Sequence, residues 1–246
     1  MTALISTLAE RKDEFHHHLL LAQALEERLF EGDVTSIGEI ALTVRHLRTI
    51  KSGLIVHLYN VVEALMSRTM EEVGGAVKDA PPTTWSIETL KEWLRFSAQI
   101  GLDGTEESRL AMIHKVALKL LQMEPIGDLR FKKPSGTWSD KVISRFSQRL
   151  NVNLLLAPEI AEKIKKDVKY GDRTPLEFLA ERRNAIAHGR RSFEDGAVDL
   201  SLKDIEELAN VTMGYMEHAI AAFQAFVDEK RYLAATSDVL EITSNV

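Results

Sequence analysis

The sequence predicts an all-α protein: a helical bundle with long helices at both ends of the chain and shorter helices inserted between them. All 6 prolines lie between Pro81 and Pro175, so both ends of the chain can carry uninterrupted helices. Within those ends apolar residues recur at helical spacing, as in the series Leu8, Phe15 and Leu19. Strand signals are weak, because no Asn-Gly or Asp-Gly dipeptide joins two β-branched runs.

The N-terminal half should begin with a helix over about Leu4–Phe30. A second helix is expected over about Ser36–Val73, with Asp33 or Thr35 as its N-cap and the Gly74-Gly75 pair as its end. The second half of that helix is apolar nearly all round, which is typical of a central helix in a bundle.

The proline-bearing middle is expected to be a loop over 124–136 and to hold shorter helices at about residues 86–100, 105–123, 139–150 and 158–169. Thr174-Pro175 should start another helix, with a capping Thr and Pro in its first position, and that helix should end at His188. The last helix is expected over 201–232, because Ser201 and Asp204 resemble a capping box with Asp in place of Glu.

The amino-acid composition excludes several kinds of functional site and several classes of protein. With 31 Lys+Arg against 37 Asp+Glu, the formal net charge is -6, which argues weakly against a protein coated in nucleic acid. The absence of cysteine excludes disulfides, thiolate zinc sites, iron–sulfur clusters and a cysteine nucleophile. We expect a cytoplasmic protein without a membrane contact, because the N-terminus is unlike a signal peptide and no apolar run could cross a bilayer. We also expect one domain over 1–246, with an N-terminal helix over 1–35 and a frayed tail over 233–246.

The most informative segment is Glu181–Arg191, which contains the string Arg-Asn-Ala-Ile-Ala-His-Gly. On a helix Asn184 and His188 share a face because they lie four positions apart, and Gly189 suits the residue just past the helix end. Arginine (Arg183) can bind a phosphate, histidine can transfer a proton, and asparagine can orient either of them. This set suits RNA cleavage with the 2′-hydroxyl as internal nucleophile, which needs no metal. The same residues also suit a plain helix end with surface arginines and a capping histidine.

Other chemically suggestive residues have simpler structural explanations. The His16-His17-His18 run cannot converge on one metal ion, because consecutive helical residues point about 100° apart. We interpret the tryptophans as packing anchors and a lysine-rich stretch as a solvated helix face. These residues are Trp85, Trp93, Trp138, and Lys163, Lys165, Lys166, Lys169.

The string from Arg183 to Gly189 resembles the signature of the HEPN superfamily (higher eukaryotes and prokaryotes nucleotide-binding domains). In its ribonuclease branches the pattern is Arg, a polar residue that is often Asn, three to five further residues, and then His. Segments Leu58–Ala64, Ser135–Asp140 and Arg191–Glu194 look like one prokaryotic branch that is linked to toxin–antitoxin and antiviral defence loci. The similarity covers about residues 40–232.

The resemblance implies an all-α bundle that forms a homodimer, with a composite ribonuclease site where the two motif helices meet. Arg183 and His188 would be the catalytic pair, with Asn184 as the polar residue between them. Tyr59 and Glu63 resemble the polar positions that an earlier helix contributes near the site. Glu63 suits equally well a core-facing or interface carboxylate.

The implied function is a metal-independent endoribonuclease that takes RNA as substrate and uses no cofactor. Because Glu181–Arg191 holds four arginines and one glutamate, it would form a local basic cleft, and Arg182, Arg190 and Arg191 are expected to bind RNA. Such an enzyme is toxic when unrestrained, so a neutralising antitoxin or another defence-system protein is the expected partner. The alternative is a non-catalytic HEPN-like module that binds RNA, a nucleotide or a partner protein.

Overall fold

The computed structural model describes residues 3–31, 36–97, 105–122, 126–127 and 129–235. Helices dominate this part of the chain, which confirms the predicted all-α class. They are α1 (Ala3–Phe30), α2 (Val44–Val77), α3 (Ile87–Ser97), α4 (Glu106–Leu121), α5 (Asp140–Arg149), α6 (Pro158–Lys163), α7 (Pro175–Ala187) and α8 (Leu202–Asp228). The described ranges also hold two short 3-10 helices and one antiparallel hairpin: Pro82–Thr84, Val168–Tyr170, β1 (Ser36–Ile37) and β2 (Ile40–Ala41).

The hairpin replaces the start that the sequence predicts for the second long helix. Its two strands pair around Gly38, whose φ is +60°. Glycine adopts this left-handed conformation without a steric cost, so the chain reverses direction here and α2 begins only at Val44. The proposed N-caps Asp33 and Thr35 lie outside the described residues.

Helix α2 also ends later than predicted. The Gly74-Gly75 pair lies inside the helix, which continues to Val77. A Cβ atom added to Gly74 would lie 3.0 Å from the backbone oxygen of Leu129. This glycine therefore allows another segment to approach the helix closely, and it does not end the helix.

The other predicted helices are present with ends within a few residues of those expected, except that α6 is short. It ends at Lys163, because the chain turns into the 3-10 helix that follows. The side chain of Asp167 accepts a hydrogen bond from the Lys169 N–H at 2.8 Å, and Gly171 takes a φ of +64°. Such a side-chain bond offers the backbone an alternative to the α-helix. Residues 98–100 and 123 of the predicted helices lie outside the described ranges.

The chain divides into two compact units, each built from separate stretches. Unit 1 comprises Met1–Met66, Thr137–Lys141 and Leu156–Ile220. Unit 2 comprises Ser67–Gly136, Val142–Leu155 and Ala221–Val246. One domain over 1–246 stays a prediction, and the predicted frayed tail lies outside the described residues from 236 onward.

Unit 1 has an apolar core to which its long helices contribute. Phe15 and Leu19 of α1 are buried, as are Leu208 and Phe178 of α8 and α7. The largest contribution comes from α2, whose apolar residues with at most 1% exposure in this unit are Leu54, Ile55, Leu58, Tyr59, Val61, Val62, Leu65 and Met66. Because each side of the helix is covered here, the predicted central position of this segment is confirmed.

The buried aromatic residues fit the predicted role of packing anchors. Trp85 and Trp93 lie in unit 2 with their rings edge to face at 5.7 Å, and Trp138 is buried in unit 1. Phe146 and Phe223 stack at 5.5 Å in unit 2. No helix in the described part of the chain is both long and apolar enough to span a membrane.

Candidate active site

Helix α7 carries the motif, and its two ends are fixed as the sequence predicts. Thr174 accepts a hydrogen bond from the Glu177 N–H, and the Glu177 side chain accepts one from the Thr174 N–H, so the first turn has a complete capping box. Pro175 occupies the first helical position. At the other end His188 is the C-cap residue, and Gly189 takes a φ of +69°. The motif therefore occupies the last turn and a half of α7 and its cap.

Arg183 lies at the centre of a polar cluster in unit 1. Its Nη2 donates to Glu63 Oε2 at 3.1 Å, and its Nη1 donates to Asn184 Oδ1 at 3.2 Å. The guanidinium carbon lies 4.8 Å from the centre of the Tyr59 ring, close enough for a cation–π contact. The Arg183 side chain is 25% exposed, so solvent reaches a group that is otherwise held from three sides.

The loop before α5 joins this cluster. Asn184 Nδ2 donates to Thr137 Oγ1 at 2.9 Å, so the Asn184 amide connects Thr137 to Arg183. The backbone N–H of Trp138 donates to the Tyr59 hydroxyl at 3.0 Å. Burial is the main cause that raises the pKa of Tyr59 to about 12, with the Glu63 carboxylate adding to the rise. Tyr59 is therefore a neutral, fixed platform under the Arg183 guanidinium at physiological pH.

His188 is exposed and stands apart from this cluster. Its backbone N–H donates to the Asn184 carbonyl at 3.0 Å, which continues the helix by one bond. Among the described residues its imidazole makes no hydrogen bond. Five helical positions separate it from Arg183, which corresponds to about 7.5 Å along the axis and about 140° around it. Within one chain the structure thus groups Arg183, Asn184, Tyr59 and Glu63, and the exposed His188 imidazole forms no hydrogen bond with any of them.

Arg182 points into the fold. Its side chain is 8% exposed, and it donates to the Gly196 carbonyl at 3.0 Å and to both carboxylate oxygens of Asp199 at 2.5 and 2.8 Å. Its guanidinium also lies 4.7 Å from the centre of the Phe178 ring. A guanidinium that is buried and paired in this way is not placed to meet an RNA phosphate, so the predicted RNA contact of Arg182 is not supported by its position.

The other two arginines of the segment are exposed. Arg191 donates to the Asp195 carbonyl at 3.3 Å and lies 3.6 Å from Asp199. Arg190 makes no ion pair with any described residue. Because three of the four arginines lie beside carboxylates, the positive field at this helix end is weaker than the sequence count suggests. Arg190 is the arginine most available to a phosphate.

Two hydrogen-bond partners of the motif residues, Thr137 and Asp199, are not among the site residues that the sequence predicts. Thr137 lies in the segment Ser135–Asp140, which is identified only through the family resemblance, and Asp199 lies in no motif. Thr137 lies far before α7 in the sequence, and Asp199 follows α7 after a loop, so helical spacing could not reveal either residue. The sequence feature that could have indicated Thr137 is its hydroxyl side chain within the loop Gly136-Thr137-Trp138.

The histidine run lies in α1, and of the four lysines of the lysine-rich stretch only Lys163 lies in α6, so these lysines do not form the helix face that the sequence predicts. His16 and His17 are exposed, whereas His18 Nδ1 lies 3.2 Å from His57 Nδ1. Within the described ranges no group of three or more His, Asp or Glu side chains could hold a metal ion. The four lysines of the basic stretch are exposed, and Lys169 pairs with Asp204 and Glu207.

A comparison with protein families identifies the chain over nearly its whole length. Residues 1–232 match the model of the family described as MAE_28990-like HEPN, so the match extends the resemblance to include α1. No curated protein and no solved structure matches the chain. HEPN domains are nuclease-related or RNA-related modules, and ribonucleases are common among them. The chain therefore belongs to the HEPN superfamily, within the MAE_28990-like HEPN family.

Proposed function

We propose that this protein is a metal-independent endoribonuclease that acts as a homodimer, with Arg183 and His188 as the catalytic pair and Asn184 as the polar residue that orients the site. The observation that carries the proposal is the Arg183 cluster. A guanidinium held by Glu63, Asn184 and the Tyr59 ring lies partly exposed on the helix that ends at an exposed histidine. Prior positioning of this kind is what a site needs if it is to stabilise charge that develops in a transition state.

Arg183 would bind the scissile phosphate. A guanidinium has five N–H donors, and two of them are used in the bonds to Glu63 and Asn184. The others can meet two phosphate oxygens in the forked geometry that arginine favours. Asn184 would act as a positioning residue, because its amide connects Arg183 to Thr137.

His188 would move the proton. A neutral imidazole takes the proton of the RNA 2′-hydroxyl as that oxygen forms a bond to phosphorus, and the bond from phosphorus to the 5′-oxygen breaks. The 5′-oxygen takes up a proton from an imidazolium or from water. The products are a 2′,3′-cyclic phosphate and a 5′-hydroxyl, and atoms and charge balance without a cofactor.

A second copy of the chain would complete the site. In one chain the His188 imidazole forms no hydrogen bond with Arg183 or Asn184, so a single copy does not join the two catalytic groups. Two α7 ends that meet around a two-fold axis would bring a histidine of one protomer toward the arginine of the other. The exposed Arg190 of each protomer would then bind RNA phosphates on either side of the scissile bond.

The expected partner follows from this activity. An RNase without restraint would damage the RNA of its own cell, so we propose a neutralising antitoxin or another defence-system protein that binds or modifies the chain. Growth arrest on expression, relieved by His188→Ala, would support such control. Unchanged growth with the active protein present in the soluble fraction would contradict it.

Incubation of the purified protein with RNA in the presence of EDTA tests the proposed activity. We expect cleavage to 2′,3′-cyclic phosphate ends by the wild type and loss of cleavage in Arg183→Ala and His188→Ala. The matched controls are Arg145→Ala and His114→Ala, which remove exposed side chains of the same types in unit 2. Failure of the wild type to cleave, or equal rates in His188→Ala and His114→Ala, would overturn the proposal.

The alternative function is a non-catalytic module that binds RNA, a nucleotide or a partner protein. The observation that favours it is the ion pair between Arg183 and Glu63, because the carboxylate already binds one N–H donor of the guanidinium. This function predicts RNA or nucleotide binding without cleavage. If Arg183→Ala and His188→Ala change stability alone, the motif is only a capped helix end.

A further inference from the structure

Unit 2 carries a second concentration of positive charge, formed by residues outside the motif segment. A groove of about 470 Å³ lies between α3, the loop before α5 and the last residue of α5. Five basic side chains line it: Lys91, Arg95, Lys132, Lys133 and Arg149. None of the lining residues is acidic or aromatic. In a chain with a net charge of -6, a groove lined by five basic side chains and no acidic one indicates a site for an anionic ligand.

A buried carboxylate holds the groove in shape. Glu92 of α3 is 1% exposed, and it accepts hydrogen bonds from Arg149 through Nε, at 2.7 Å, and through Nη2. The Nε of Arg95 lies 2.7 Å from the same carboxylate. Arg149 Nη2 also lies 3.4 Å from the Lys132 carbonyl oxygen. Glu92 therefore connects α3 to the end of α5, and Arg149 connects the end of α5 to the loop. These three segments carry all the basic residues of the groove.

Two lysines of the groove, Lys91 and Lys132, stay available after this network has formed. Lys91 and Lys132 are exposed, and neither forms an ion pair with any described residue. Arg95 is paired on one side only, and its side chain is 52% exposed. The groove therefore presents cations toward solvent on a frame that is already ordered, so a ligand would not have to organise it.

We propose that this groove binds the phosphate backbone of RNA. Guanidinium forks and ammonium point charges are the groups that bind phosphate oxygens. Because no aromatic side chain lines the groove, it offers no platform for base stacking, and binding should be independent of sequence. The same absence, together with the lack of a glycine-rich phosphate loop, disfavours a free nucleoside triphosphate as its ligand. The inference rests on the proposed function in taking RNA as the ligand, but it does not require cleavage.

Fluorescence anisotropy with a labelled oligouridine of about 12 nucleotides tests the groove. All proteins carry His188→Ala, so the RNA stays intact. The groove variant is Lys91→Gln with Lys132→Gln. The control variant is Lys78→Gln with Lys115→Gln, which removes the same charge from exposed positions of unit 2 outside the groove. Thermal unfolding of each variant shows that the fold is retained.

We expect the groove variant to weaken RNA binding severalfold while the control variant binds as before. In a titration from about 50 to 200 mM salt, the slope of log Kd against log[salt] should fall by about 1.4, because two phosphate contacts are lost. An unchanged Kd and slope in the groove variant, or an equal change in the control, would overturn the inference. Groove-dependent binding of ATP without groove-dependent binding of RNA would overturn it as well.

These binding measurements, together with the cleavage assay on the wild type, separate this inference from the proposed function. Groove-dependent RNA binding by a protein that never cleaves RNA would keep the groove and remove the ribonuclease. Cleavage by the wild type, with RNA binding that is insensitive to Lys91→Gln and Lys132→Gln, would keep the ribonuclease and remove the groove.

Discussion

Replacement of Arg182 by methionine separates the structural arginine of the motif from the proposed catalytic one. Arg182 makes three hydrogen bonds with Gly196 and Asp199, and its side chain is 8% exposed. A hydrogen bond to a charged group contributes about 1.5–3 kcal/mol, and the Gly196 carbonyl would lose its donor. Asp199 is 49% exposed and can regain water, so the ion pair itself adds little. We therefore expect Arg182→Met to lower the free energy of unfolding by about 2–4 kcal/mol.

The expected loss depends on pH with a definite sign. Hydrogen bonds from Arg182 are the main cause that lowers the pKa of Asp199 below its ordinary value of 3.8. A carboxyl with a lowered native pKa stabilises the fold above the unfolded pKa and loses that contribution as the pH falls through the native value. The difference in stability between wild type and Arg182→Met should therefore shrink on acidification below about pH 4.

Urea unfolding followed by circular dichroism measures this change, and Arg183→Met is the matched comparison. Arg183 is more exposed, so its loss should cost less than about 1 kcal/mol while it abolishes RNA cleavage. Arg182→Met should keep its activity per folded molecule. A stability loss below about 1 kcal/mol in Arg182→Met, combined with a loss of RNA binding, would refute this assignment of the two neighbouring arginines.

Three further changes test the packing around the motif. Gly196→Ala should cost about 1–3 kcal/mol in urea unfolding, because its Cβ would lie 2.7 Å from the Ile186 side chain. Tyr59→Phe should lower the free energy of unfolding by about 1 kcal/mol, because the Trp138 N–H loses its acceptor. Since burial raises the pKa of Tyr59 to about 12, this tyrosine should stay protonated in spectroscopic titrations until near that pH. Its contribution to stability should decline from about pH 10 upward. Thr174→Ala should lower the melting temperature, since a lost N-cap costs about 1 kcal/mol, whereas equal melting temperatures would contradict the capping box of α7.

Local rules were sufficient for the presence of the helices and for the ends of the motif helix, but not for the ends of α2 or the length of α6. Proline positions, apolar spacing and capping residues act within a few positions along the chain, and Thr174 and Gly189 mark the two ends of α7 as predicted. The resemblance to the family also predicts Tyr59 and Glu63 near the site, and both contact Arg183.

The direction of each arginine could not be predicted by local rules. Arg182 and Arg183 are neighbours on one helix and point about 100° apart, so one can face the interior while the other faces a cleft. Which one is buried depends on Asp199 and on Glu63, and both partners lie outside the motif. Counting charges in the sequence therefore overestimated the positive field of this segment.

Glycine was also ambiguous in the sequence. Gly74 looked like a helix end, but its role is to let the Leu129 backbone approach α2. Gly38 forms the turn of a hairpin where a helix was expected. A glycine permits both a left-handed turn and a close contact, and only the partner segment decides between them.

The single-turnover rate of RNA cleavage in EDTA, compared between the wild type and His188→Ala, tests the central claim most directly. General acid–base catalysis contributes about 10²–10⁴-fold to a rate. We therefore predict cleavage by the wild type and a fall of at least about 10²-fold in His188→Ala, with the His114→Ala control unchanged. Rates for His188→Ala within a few-fold of the wild type, or no cleavage by either protein, would contradict the assignment of this histidine.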